Sequence, residues 1–151
     1  MIRLVFKLLG TLCVTLMILL TQTSTTEGNN KTVWDGVYTI EQAKRGEQIY
    51  RQECTACHRD NLLGNTIDGG PPLRGPQFTM RWQGLNLEIL IETIEELMPF
   101  DEPGTLSRQE YVDVTSFILW GNDIPAGSSE LPTEPEALQQ ILMTTDSKPS
   151  Q

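Results

Sequence analysis

The chain of 151 residues has one histidine, three cysteines and five methionines, and its 11 lysines and arginines are outnumbered by 20 aspartates and glutamates. Each shortage excludes something. With a formal charge of −9 at pH 7 the chain is no partner for nucleic acid, whose phosphates select lysine and arginine. The acidity serves either solubility or steering toward a basic partner. A single histidine rules out any site built on two imidazoles. No second C-x-x-C and no distant histidine pair accompanies Cys54 and Cys57, so a structural zinc ion would lack its fourth ligand unless a carboxylate supplied it. The βαβ pattern that surrounds a thioredoxin-like dithiol is missing too. A long apolar run is also lacking. Leu8 to Leu20 is uncharged and largely apolar, but it falls short of the ~20 residues that cross a bilayer as a helix. Arg3 and Lys7 precede it and polar residues follow, so 1–26 reads as a secretory signal peptide, although no A-x-A cleavage site is present. The alternative is an uncleaved N-terminal anchor. Cys13 is then one more residue of the apolar run.

What remains is concentrated. The only histidine and two of the three cysteines fall in the five residues Cys54-Thr55-Ala56-Cys57-His58. C-x-x-C-H marks attachment of c-type haem: the two thiols add to the vinyl groups, and the adjacent histidine is held under the iron. Export suits this reading, because in bacteria such haem is attached outside the cytoplasm. The expected cofactor is one haem c, covalent through Cys54 and Cys57, with His58 as an iron ligand.

From about Tyr38 to Trp120 the chain resembles a class I, single-haem cytochrome c. RGEQIYRQECTACH is similar to that family's first helix running into the haem motif. GGPPLRG is similar to its G-P-x-L-x-G segment, LMPF to its methionine loop, and LSRQEYVDVTSFIL to its closing helix. PGTLSRQEYVDV, taken with the methionine loop, more narrowly resembles bacterial cytochromes that accompany quinoprotein dehydrogenases. The resemblance implies that the Pro71 carbonyl accepts the Nδ1–H of His58, a bond that fixes ring orientation and raises ligand basicity. Leu73 and Gly75 complete that segment. Read without the family, GGPP is a turn. The resemblance also implies that the first and last helices cross at a small residue, for which Gly46 is suited, with Tyr50 packing near Val114 and Phe117.

The second axial ligand follows by elimination. A second histidine does not exist, and beyond the signal the methionines are Met80, Met98 and Met143. Met143 reads as part of a polar tail. Met80 comes too soon after His58, before the next long helix, and is assigned to core packing or a haem-edge contact. Met98 follows a helical stretch and precedes Pro99, where a loop can close over the far face of the haem; it is the expected ligand. Trp82, Arg74 and Arg81 are candidates for the haem propionates, with ordinary core the alternative for Trp82. Trp34 reads as an anchor for the N-terminal arm.

Periodicity supplies the helices. Thr39 and Gln42 are placed as a capping box before Ile40. Leu87, Leu90, Ile91, Ile94 and Leu97 form one apolar face, and Glu88, Glu92, Glu95 and Glu96 read as a solvated one. Ser107-x-x-Glu110 opens a helix whose buried stripe is Tyr111, Val114, Phe117 and Ile118. Thr133-x-x-Glu136 suggests a short helix through Ile141 or Leu142. The expected organisation is signal peptide or anchor 1–26, an N-terminal arm 27–37, a cytochrome c domain 38–121, and a partly disordered extension 122–151 with little core of its own. The fold expected is all-α: three main helices and loops around one covalent haem c, poorly folded without it.

The function implied is periplasmic electron transfer, one electron at a time, on a haem with histidine and methionine ligands. The redox partner expected is a quinoprotein dehydrogenase or a terminal oxidase. The membrane is a partner only if residues 1–26 stay attached, at the outer face of the inner membrane. A haem-based sensor, or a small haem subunit of an oxidoreductase complex, is the alternative. Catalysis by this chain alone is not expected, since no nucleophile or acid–base set accompanies the motif.

Overall fold

The computed structural model describes residues 31–65 and 69–145. Residues 1–30, which include the expected signal segment, residues 66–68 and the residues from Asp146 onward lie outside it. Three helices carry the frame: α1 (Ile40–Glu53), α4 (Leu87–Leu97) and α5 (Arg108–Gly121). Between them stand α2 (Thr55–His58) and α3 (Pro76–Trp82), and after them α6 (Pro135–Leu138). The only sheet among the described residues is two short strands, β1 (Lys31–Thr32) and β2 (Ile141–Leu142), paired in parallel. The described residues form an all-α fold of three main helices, with shorter helices and loops between and after them.

α1 begins where Thr39, in an extended conformation, accepts the Gln42 N–H at 3.1 Å. The reciprocal half of the expected capping box does not form. Gln42 is fully buried, and its amide clasps the backbone of Leu131, giving Nε2–H to the carbonyl at 3.0 Å and taking the N–H at 2.7 Å. A buried amide must satisfy both of its polar ends, and the peptide at Leu131 offers both.

α1 crosses α5 at Gly46, where a Cβ would sit 1.8 Å from the Asp113 carbonyl oxygen. Hydrogen is the only side chain that fits. Next to the crossing, Tyr50 and Phe117 pack with ring centroids 5.0 Å apart. Arg45 bridges Asp113 of α5 at 2.9 Å and Glu130 at 2.7 Å.

α5 has its capping box, with Ser107 N–H and Oγ–H both given to Glu110 Oε2 at 2.7 Å. It is buried all round from Tyr111 to Leu119, not along the single stripe that periodicity suggested. Thr115 and Ser116 tolerate this because their hydroxyls bond the carbonyls of Tyr111 and Val112, four residues back.

α4 starts at Asn86, whose side chain accepts the Ile89 N–H at 3.1 Å. Leu87, Leu90 and Ile91 are buried, but Leu97 is 53% exposed, so the apolar face fades in the last turn. The acidic side is not wholly solvated either. Arg108 of α5 pairs with Glu88 and, at 2.8 Å, with Glu95. That cation offsets negative charge near a helix C-terminus, where the helix dipole disfavours it.

The segment after Asn122 departs most from expectation. It belongs to the core: Ile124, Leu131, Leu138, Ile141 and Met143 are all buried, Met143 at 1% exposure. The short helix ends at Leu138, capped by Glu134 without a side-chain bond, and Ile141–Leu142 is strand. Met143 exchanges backbone bonds with the turn before α4, its carbonyl accepting Gly84 N–H and its N–H donating to Leu85, both at 2.8 Å. Trp34 does anchor the N-terminal arm, and it does so on this segment, giving its indole N–H to the Thr144 carbonyl at 3.0 Å.

Candidate functional site

α1 delivers the C-x-x-C-H motif directly. Cys54 caps its C-terminus and opens α2, and the His58 N–H closes the turn on the Cys54 carbonyl at 2.9 Å. The Cys54 thiol is partly buried and Cys57 is exposed, both unpaired. Burial, with Glu53 and Cys57 adding to it, pushes the Cys54 thiol up to about 12. An attacking thiol of a redox dithiol needs the opposite, a lowered pKa. Among the described residues no three His, Cys, Asp or Glu side chains gather as a metal site.

His58 is buried. Its Nδ1 lies 2.8 Å from the Pro71 carbonyl oxygen. A carbonyl only accepts, so Nδ1 is the donor in this contact, and in the neutral ring that tautomer puts the lone pair that can bind a metal on Nε2. Gly70 lies flat against the same ring; a Cβ there would be 2.3 Å from Cε1. Gly70 N–H also bonds the Cys57 carbonyl at 3.1 Å, and Gly64 N–H the His58 carbonyl at 2.9 Å. The chain leaves His58 through Arg59, held by the Tyr50 hydroxyl on its carbonyl at 2.8 Å.

Leu73 is half-buried against the core. Its N–H donates to Leu62 at 2.7 Å, and Asn122 clamps its surroundings, giving Nδ2–H to the Leu73 carbonyl at 2.8 Å and accepting Gly75 N–H at 2.9 Å. Trp82, at the end of α3, is 8% exposed and packs on Phe78, with the Arg81 guanidinium 5.4 Å from its ring centre. Arg74 pairs with Asp123 at 3.6 Å. Met80 is not core: it is 72% exposed, because α3 buries Phe78 and Trp82 and turns position 80 outward.

Met98 ends α4, its N–H on the Ile94 carbonyl at 2.8 Å. Its own carbonyl accepts the Tyr111 hydroxyl at 2.8 Å. Reasoning from sequence passed over Gly70, Asn122 and the hydroxyls of Tyr50 and Tyr111. A pair of glycines directly before Pro71 was the available signal for the first. Nothing in a linear sequence announces the other three, whose partners include backbone groups on other segments.

An all-α domain whose first helix runs into C-x-x-C-H, with the histidine oriented from the Pro71 carbonyl, is a c-type cytochrome domain. The donor set fits the group: one imidazole, oriented through its Nδ1, is presented beside two thiols in a single turn. The family model described as "Cytochrome C oxidase, cbb3-type, subunit III" matches residues 41–118, just over half of the chain, and the chain belongs to that family, as a monohaem class I cytochrome c. The thiosulfate dehydrogenase of Stutzerimonas stutzeri (strain A1501) is 28% identical to it over 105 residues, covering 67% of this chain and 32% of that protein. The chain thus spans about a third of that relative's length. No solved structure matches it. The family implies haem c as cofactor and haem-based electron transfer as the activity.

Proposed function

We propose that this chain carries one electron on a single haem c, bound covalently through Cys54 and Cys57, with His58 and Met98 as axial ligands. The observation that carries the reading is His58, its Nδ1 committed to Pro71 and its Nε2 left as donor at the end of the C-x-x-C-H turn. When bound, the haem supplies an iron that accepts and returns one electron. The Pro71 carbonyl fixes the imidazole ring and makes it a stronger donor. Met98 offers a soft, neutral thioether that favours the reduced state and raises the potential. With His58 and Met98 both holding the iron, no position would be left open to a substrate, which favours a carrier over a sensor or enzyme. Leu73 and Trp82 would supply apolar contact to the macrocycle, and the Trp82 indole N–H would be a donor for a propionate.

The chain works outside the cytoplasm, in the periplasm once residues 1–26 are removed or at the outer face of the inner membrane if they remain. Among the described residues no helix is long and apolar enough to cross a membrane. Its partners are a dehydrogenase, of the quinoprotein class by the narrower likeness of its sequence, and an acceptor such as a terminal oxidase. A second reading, the cytochrome subunit of a dehydrogenase complex, is favoured by the thiosulfate dehydrogenase relative. Copurification of a stoichiometric catalytic subunit from the native host separates the two.

Intact-mass analysis of the exported protein is expected to show one added haem, lost in Cys54→Ala/Cys57→Ala. Met98→Ala should keep the haem, lose the far-red iron–sulfur band of the ferric protein and lower the potential, whereas Met80→Leu should do none of these. Loss of the band in Met80→Leu with retention in Met98→Ala would reverse the ligand assignment.

A further inference from the structure

The Met98 carbonyl receives the hydroxyl of Tyr111, a residue fully buried in the first turns of α5. Its other donor is Gly104 N–H, at 3.4 Å, beyond the usual range of an N–H···O bond. The phenol is therefore the short contact between the residue at the end of α4 and the helix pair at the centre of the fold. At the first position of the same helix, three residues before Tyr111, Arg108 holds Glu88 and Glu95 of α4. Across the crossing, α1 does the same for the other side of the site, where Tyr50 bonds the Arg59 carbonyl directly after His58. Each tyrosine belongs to one member of the pair that meets at Gly46, so both ligand segments are referenced to one rigid crossing.

We propose that Tyr111 is a positioning residue that holds Met98 in place as sixth ligand and thereby sets how readily that position opens. The proposal rests on Met98 being the ligand. Packing alone would give Tyr111 a role in stability; the hydroxyl on the ligand's own carbonyl gives it one in ligand exchange. Phenylalanine keeps the ring and removes only the donor, leaving the Met98 carbonyl with its long contact to Gly104.

The test uses the haem-loaded protein and reads carbon monoxide binding to the reduced form, together with the ferric iron–sulfur band. Tyr111→Phe is expected to bind carbon monoxide about 5-fold faster, the factor that the net loss of one hydrogen bond gives, and to show a weaker band. Tyr50→Phe, the same deletion on the His58 side, should bind at the wild-type rate. Tyr111→meta-fluorotyrosine keeps the hydroxyl as a stronger donor and should bind no faster than wild type, which keeps the proposal open to test if the phenylalanine variant does not fold. In a Met98→Ala background, where the position is already open, Tyr111→Phe should add nothing. A wild-type rate in Tyr111→Phe, or an equal rise in Tyr50→Phe, would overturn the positioning role. A Met98→Ala protein that keeps its band would instead remove the ligand assignment beneath it.

Discussion

At Gly70 an added methyl group would lie 2.3 Å from Cε1 and 2.6 Å from Nδ1 of His58, closer than real carbon atoms approach. The peptide there is also bonded to Cys57 and is followed at once by Pro71, the partner of the ring. Neither side of the contact can retreat without breaking one of these bonds. Gly70→Ala is therefore expected to destabilise the haem-loaded protein by about 1–3 kcal/mol, the usual cost of overpacking, read as a lower denaturant midpoint; an unchanged midpoint would show that the ring tolerates displacement. At this scale the sequence was most informative where chemistry fixes residue type. The thiols and imidazole of C-x-x-C-H announce themselves, and the family resemblance of GGPPLRG implied the pairing of His58 with Pro71 that the structure shows at 2.8 Å. Asn122 and the hydroxyls of Tyr50 and Tyr111 were silent because a backbone carbonyl accepts equally well at any position.

Among the helices, α1 and α5 share the most extensive contact, and their crossing tolerates no Cβ at Gly46. Although alanine is the better helix former by ~1 kcal/mol, the contact to Asp113 reverses the sign. Gly46→Ala should lower stability by about 1–3 kcal/mol or more, and a thermal midpoint at or above wild type would contradict the crossing. The α5 capping box gives a pH-dependent prediction. The bonds from Ser107 hold the Glu110 carboxyl below its ordinary value. A depressed folded-state pKa stabilises above the unfolded value, ~4.3, and that contribution is lost as pH falls through the folded one. Glu110 is only partly covered, so the effect is small. Measured from pH 7 down to about 3, wild type should lose stability relative to Glu110→Gln, and parallel curves would count against the cap. Helix positions and caps were legible because they depend on neighbours in sequence. Which sides are covered was not: α5 is enclosed all round, and two of the glutamates on α4 face Arg108.

For the molecule as a whole, the segment after Asn122 acts as a strap rather than a tail. It clasps Gln42 at Leu131, reaches Asp113 through Arg45 and Glu130, and returns to pair with Lys31–Thr32. By doing so it closes the N-terminal arm onto the turn that leads into α4. Leu138→Ala, at a fully buried site, should cost about 2–5 kcal/mol. If the segment were dispensable, the thermal midpoint of that variant would match wild type.

By itself the sequence determined the class of cofactor, the covalent chemistry open to it and the order of helices, because each depends on residue type or on periodicity over a few turns. Only the tertiary structure decided that Met143 is core and Met80 is not. Exposure depends on what the rest of the chain places against a residue. For Met143 the neighbours are Gly84 and Leu85, nearly sixty residues earlier, and no local pattern of polarity reports a contact at that range.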